Sequence, residues 1–345
     1  LHLQKLYGNT GDLSSLVKMY ALEIEMIRAM GPENRLIHLY LESGKSYQQL
    51  GQEEQAVESF RKVIELEPKN SEALSHSVEI LAHSNHWKEL IEIYELAARL
   101  SQNKEEMENL HVKIAALWEK ELDDESQALV HYQIAYQINP KNLAAVQGSI
   151  GILKKQERWG EAICMMEVEA SLLEEKLRPS IYLMIGDIWA DKLQVPHQAI
   201  RSYLRIMEHG FHRPTAEKVV KLQEKIGDWE GMASILEKDV RLTDLKSEEL
   251  SQKLLQLSHL YWNKLHAIED AVRVFKALLK LDKKNPQALD ALEEILEQTQ
   301  DWEELAGVVR DKLHSSQEEG KRFSLSYKLA GIFENHLHWG NYAIH

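Results

Sequence analysis

The chain has 345 residues, length enough for two or three ordinary domains, and 44% of them are hydrophobic, which excludes a disordered segment. Its net charge of −14, from 55 acidic against 41 basic residues, repels phosphate backbones and disfavours binding to nucleic acid or anionic membranes. A single cysteine, Cys164, excludes an internal disulfide and any multi-cysteine metal site.

No run approaches the roughly 20 apolar residues that span a bilayer, so membrane insertion is not expected. No signal peptide is visible. The reading is a cytoplasmic protein, or a periplasmic one if an upstream signal precedes Leu1. Leu, Ala, Glu, Lys and Gln fill the positions between apolar residues, and the β-branched alternation of strands is absent, so helices are expected throughout.

From the N-terminus, Gly11-Asp12-Leu13 through Met30-Gly31-Pro32 reads as the second half of a repeat unit. Tyr40, Gly44 and Tyr47 then fall on one helix face at spacings of four and three. A turn follows at Leu50-Gly51-Gln52. Ala56, Phe60 and Val63 mark a second helix, which Pro68 ends. Trp87 opens a further helix containing Leu90, Tyr94 and Ala97.

From here the chain repeats itself. Ala56, Ala128, Ala199, Ala271 and Ala343 are spaced by 72, 71, 72 and 72 residues, each inside a similar phrase such as QAVESF, QALVHY or QAIRSY. Halfway between lie Trp87, Trp159, Trp229 and Trp302, spaced by 72, 70 and 73 in the phrases HWKEL, RWGEA, DWEGM and DWEEL. Two interleaved ladders with one period define a repeat protein, each period holding two helix pairs of about 34 to 38 residues.

Tyr40, Gly44, Tyr47, Ala56, Phe60 and Pro68 resemble the tetratricopeptide repeat signature in identity and spacing. The second unit of this type keeps Ala128, Tyr132, Ala135 and Pro140, with Ala116 and Glu119 in its first helix. The third keeps Ala199 and Tyr203, with Gly210 near the usual proline place. The fourth keeps Ala271 and Phe275, with Trp262 at the first-helix aromatic position. The tryptophan-bearing units are degenerate versions that lack the terminal proline and the small first-helix residue.

The resemblance implies an all-α fold, a right-handed superhelical solenoid of antiparallel helix pairs, with about 18–20 helices in ~72-residue double repeats. The expectation is one solenoid over 1–345, with units roughly at 1–32 (partial), 33–69, 70–103, 104–141, 142–176, 177–213, 214–245, 246–285, 286–318 and 319–345 (partial). Neither end carries a polar cap, so the chain reads as a segment of a longer protein or as one whose ends a partner or a second copy covers.

Repetition also decides how the conspicuous residues are read. The four tryptophans recur at one turn position, which points to packing rather than to a unique ligand platform. His76, His83 and His86, like His336 and His338, lack the Cys or carboxylate that would complete a metal site, so no metal or other cofactor is expected. Metalloprotease, phosphate-loop and serine-elbow motifs are missing. Cys164 lies in the apolar run AICMM and reads as a buried small hydrophobe. Catalysis is not expected.

In the family that the chain resembles, the first helix of each unit lines a concave wall. Its non-packing positions are then the expected partner surface: Lys45 and Gln48; Glu79 and His83; Lys113, Leu117 and Lys120; Gln147, Lys154 and Lys155; Met184 and Ile188; Asn263; and Glu294. The stripe reads as mixed in the middle and acidic at the C-terminal end, where Asp290 and Glu297 join it. Leu41 with Lys45, and Ser75 with Glu79, do not reproduce the Lys and Asn clamp that holds a terminal carboxylate in some members. An extended peptide or an amphipathic helix is the expected ligand.

The function read from the sequence is a non-catalytic scaffold for protein–protein interaction in a larger assembly, similar to segments of long bacterial tetratricopeptide proteins. Self-association through uncapped ends is a related expectation. The alternative is a regulatory or targeting domain of a longer enzyme-containing protein. RNA processing, a third possibility, runs against the acidic balance.

Overall fold

Asparagine and aspartate set where the helices begin. In the computed structural model, which describes residues 12–28, 31–208, 210–242 and 246–337, Asn70, Asn142 and Asn285 accept the backbone N–H of Ala73, Ala145 and Ala288 at 2.9, 3.0 and 3.1 Å. Asp124, Asp228 and Asp301 accept those of Gln127, Gly231 and Glu304 at 3.0, 3.0 and 3.3 Å. Each side chain satisfies one donor that the first turn of a helix leaves without a partner.

Eighteen α-helices and no strand are present among the described residues. The chain divides into two compact units, Leu1–Ile181 and Tyr182–His345. The first contains α1 (Leu13–Ile27), α2 (Glu33–Gln49), α3 (Glu53–Leu66), α4 (Ser71–His83), α5 (Trp87–Leu100), α6 (Lys104–Lys120), α7 (Glu125–Ile138), α8 (Leu143–Lys155) and α9 (Trp159–Leu172). Helix α10 (Arg178–Asp187) runs through the boundary.

The second unit continues with α11 (Pro196–Met207), α12 (Arg213–Ile226), α13 (Trp229–Leu242), α14 (Ser247–Leu260), α15 (Ile268–Leu281), α16 (Pro286–Thr299), α17 (Trp302–Ser315) and α18 (Glu319–Asn335). Within each unit a helix packs chiefly on the next one along the chain. Short connections make these neighbours antiparallel.

The turn inside each pair repeats more faithfully than the sequence around it. Gly51, Asp123, Gln194 and His266, and likewise Asn85, Glu157, Gly227 and Gln300, all have left-handed backbones with φ between 51° and 75°. The next residue donates its N–H back across the turn. Gln52, His86, Arg158, Asp228 and Asp301 reach the carbonyls of Tyr47, Leu81, Leu153, Gln223 and Leu296, five residues earlier, at 2.8–3.0 Å. Asp124, Val195 and Ala267 instead reach Trp118, Trp189 and Tyr261, six residues earlier, at 2.8–3.0 Å. Wider turns at Ile188–Lys192 and Tyr261–Leu265 accommodate the extra residue.

That extra residue corrects the expected register in two units and sets it in a third. Counting back from the left-handed residue, the small first-helix position of the second tyrosine-type unit is Ala115, fully buried, and not Ala116. Its aromatic is Trp118, not Glu119. In the third unit the same places fall to Gly186 and Trp189, which the alanine ladder alone did not bring out. In the fourth they fall to Ser258, fully buried, and Tyr261 rather than Trp262.

The small residue is there because a ring occupies the space beside it. A Cβ on Gly44 would stand 2.6 Å from the Phe60 ring, and one on Gly186 would stand 2.3 Å from the Tyr203 ring. Phe60 and Phe275 are completely buried, and each such side chain contributes about 1.5–3 kcal/mol. In the first two tryptophan-type units the place equivalent to Gly44, seven residues before the turn residue, holds Val78 and Ile150; Ser77 and Ser149 beside them are buried, their hydroxyls bonding back to Ala73 and Ala145. Met30, His338 and Ala343 lie outside the described residues.

Candidate partner-binding site

Two clefts open on the face built by the first helices of the first unit. The larger, about 540 Å³, lies between α4 and α6, with α5 behind them. Leu74, Val78, Leu110 and Tyr94 give it an apolar floor, while Ser75, Asn103, Asn109, Lys69 and Lys113 stand on its rim with Glu105 and Glu106. The alternation follows from the helical period: Ser71, Leu74, Ser75 and Val78 present one edge of α4, so polar and apolar atoms alternate along the wall. The Lys113 ammonium sits 5.6 Å from the centre of the Tyr94 ring.

The smaller cleft, about 440 Å³, is lined by Gln147, Ile150, Gly151, Lys154, Lys155, Trp159 and Glu169. Gln147 donates to the buried Glu169 carboxylate at 2.7 Å. Lys155 pairs with Glu125 at 3.4 Å. A side chain on Gly151 would meet open space.

The structure distributes the expected surface residues unevenly. Lys113 belongs to the first cleft; Gln147, Lys154 and Lys155 belong to the second. Lys45 is engaged within the fold, bonded to Glu42 at 2.9 Å and Glu72 at 2.7 Å. Partial burial works against its charge, yet the bonds to Glu72 and Glu42 outweigh it and hold its pKa above the ordinary lysine value. Gln48 donates to Glu79 at 3.4 Å. His83, Lys120, Met184, Asn263 and Glu294 are exposed outside these clefts, and Leu117 is half-buried. Ile188 is buried, 7% exposed, because it faces the core at the start of the wide turn.

Two lysines reach the carboxylates of the C-terminal first helix α16. Lys312, reaching over from α17, pairs with Asp290 at 2.5 Å and with Glu293. Lys328, from α18, pairs with Glu293 and Glu297. Two lysines thus offset part of the charge of the four carboxylates of α16, and Glu294 forms no ion pair among the described residues. Burial opposes ionisation of Glu293, but the two ammonium groups prevail and hold its pKa below the ordinary range.

Trp87, Trp159, Trp229 and Trp302 are each half-buried at the start of a second helix. Trp302 stacks on His336 at 3.7 Å, and Lys264 lies 4.9 Å from the Trp229 ring. Cys164 is exposed, contrary to the sequence reading. The buried stripe of α9 runs through Ala162, Ile163, Met166, Glu169 and Ala170, and Cys164 falls off that stripe.

Among the described residues, no group of three or more His, Cys, Asp or Glu side chains could hold a metal ion. His111 and His131, which sequence reading passed over, face each other with Nδ1 atoms 3.1 Å apart. No described helix is long and apolar enough to cross a membrane.

Residues 7–163 match the family model described as tetratricopeptide repeat. Among solved structures, the chain is similar to YrrB, described as a TPR protein with an unusual peptide-binding site. The identity is 17%, covering 55% of this chain and 91% of that one, with a TM-score of 0.33. A tetratricopeptide repeat protein from Parabacteroides merdae is 15% identical over 76% of this chain and 98% of its own, with a TM-score of 0.33. The P58(IPK) TPR domain is 13% identical over 97% of each chain, with a TM-score of 0.26. No curated protein matches the chain.

Proposed function

From the match of residues 7–163 to the tetratricopeptide repeat model, we propose that the chain is a non-catalytic protein-interaction module that holds an extended segment of a partner in the cleft between α4 and α6. The observation that carries this reading is the composition of that cleft. Leu74, Val78, Leu110 and Tyr94 accept apolar side chains; the Asn109 amide can bond a peptide backbone, as can the NH2 of Asn103, whose oxygen caps α6 by accepting the N–H of Glu105 at 3.0 Å. Lys113, above Tyr94, offers a positive charge to an acidic group of the ligand. The second cleft, around Lys154 and Lys155, extends the same face within the first unit.

A photocrosslinking residue at position 109 tests the reading, with one at the exposed Val130 of α7 as control. Crosslinks to a partner from position 109, weakened by Lys113→Glu and absent from position 130, are expected. Crosslinks from position 130 alone would move the binding face to the second helices and overturn the proposal. Lys154→Glu with Lys155→Glu asks separately whether the partner reaches the second cleft.

A further inference from the structure

The second unit carries a cleft of a different kind, between second helices. It measures about 680 Å³ and lies between α15 and α17, with Leu292 of α16 beneath it. Leu279, Leu292 and Val308 form an apolar floor, and Gly307 leaves it open, since a Cβ there would meet nothing within 4 Å. Four lysines, Lys276, Lys280, Lys283 and Lys284, line it against the carboxylates Glu304 and Asp311.

This is a local excess of positive charge on a chain whose net charge is −14. Lys276 is taken up by an ion pair with Glu304. Lys280, Lys283 and Lys284 form no ion pair among the described residues. Lys280, in the last turn of α15, complements the helix dipole and needs no ligand to explain it. Lys283 and Lys284 lie beyond that helix, on the connection to α16, where the dipole argument does not reach.

We infer that this cleft docks an acidic protein segment carrying an apolar side chain, the apolar group seated over Gly307 and its flanking carboxylates held by Lys280, Lys283 and Lys284. Charge complementarity selects the acidic flanks, and the apolar floor selects a peptide over a phosphate backbone. Asp311, on the far wall, repels a continuous run of phosphates but accepts a peptide N–H. This cleft and the one between α4 and α6 lie in different units and share no residue.

The test uses the full chain and a fluorescent synthetic peptide in which glutamates flank a central leucine, followed by anisotropy. A peptide with the leucine replaced by serine and a single-stranded oligonucleotide serve as comparisons. Two variants separate charge from shape: K280E/K283E/K284E, and Gly307→Leu, which fills the cleft while favouring the helix. Circular dichroism confirms that both are folded. Each variant is expected to weaken the leucine peptide about tenfold or more, and the serine peptide to bind more weakly than the leucine one.

Retention of binding by Gly307→Leu would reduce the effect to diffuse charge attraction and overturn the inference. So would equal affinity for the serine peptide or the oligonucleotide, or no binding of the leucine peptide by the parent chain. Unchanged binding by the lysine variant would overturn it as well.

Discussion

The left-handed turn residues offer a direct measurement of how strictly the repeat is built. Glu157 (φ 56°), Gln194 (φ 55°), His266 (φ 53°) and Gln300 (φ 60°) hold a conformation that Gly51 and Gly227 reach freely at the same place in other pairs. The left-handed region costs an L-residue with a Cβ roughly 1–2 kcal/mol. Glycine removes that cost but gives back about 0.4–1 kcal/mol through its freer unfolded chain. Each substitution to glycine is therefore expected to stabilise by about 0.5–1 kcal/mol.

Asn85 (φ 57°) and Asp123 (φ 51°) supply an internal control, since Asn and Asp tolerate this region better. Their glycine variants are expected to gain less. The four favourable sites lie in four separate turns, successive ones 34 to 72 residues apart in sequence, so their effects should add. Urea unfolding followed by circular dichroism gives the ranking, with Glu157→Ala separating loss of the side chain from loss of the Cβ. If Glu157→Gly and Gln300→Gly lower the midpoint, or match Glu157→Ala, the backbone argument fails.

Gly186→Ala drives a methyl into the Tyr203 ring, whose hydroxyl is held by Asp187 at 2.6 Å, and is expected to cost about 1–3 kcal/mol in unfolding free energy. Glu293→Gln breaks the pairing with Lys312 and Lys328 and is expected to cost about 1–2 kcal/mol at neutral pH. Because the folded Glu293 pKa is depressed, that contribution is present above the ordinary carboxylate pKa and is lost as pH falls through the folded value, so the parent and the variant should converge in acid. Burial lowers the pKa of both His111 and His131, and the His131 charge adds to the effect on His111; Glu95, 3.7 Å from His131 Nε2, acts in the opposite direction. Stability from this pair is complete above the ordinary histidine pKa and is lost as pH falls through the folded values, so His111→Asn should flatten the fall in melting temperature on acidification.

Much of the fold was legible because packing repeats. Ala56, Ala128, Ala199 and Ala271 are all completely buried, and a position that must stay small in every unit leaves a ladder in the sequence. Register inside each unit was less legible. The spacing from Gly44 to Gly51 is seven residues, but from Ala115 to Asp123, Gly186 to Gln194 and Ser258 to His266 it is eight. A one-residue wider turn is invisible to a ladder counted from the second helix, so Ala116 looked as suitable as Ala115.

The candidate site was harder still to read. Helical periodicity finds Lys45, Glu294 and Glu297 on a first-helix face, but which of them is left with charge to offer depends on residues about 25 to 35 positions away, such as Glu72 and Lys328. Tyr94, which floors the α4–α6 cleft, comes from a second helix and so falls outside a stripe of first-helix positions. Cys164 shows the converse error, since an apolar neighbourhood in sequence is not an apolar environment in space.

The asparagine caps have an implication for how such a chain changes length. Asn70 and Asn142 begin equivalent helices in the same unit with the same bond geometry. Excising residues 70–141 would splice Lys69 onto Asn142 and hand the end of α3 a helix start of the kind it already precedes. Ser149 would then stand where Ser77 stood, and Trp159 where Trp87 stood. Shortening or lengthening by a whole period is thus a substitution of like junctions, whereas a cut of half that length would join a tyrosine-type seam to a tryptophan-type one.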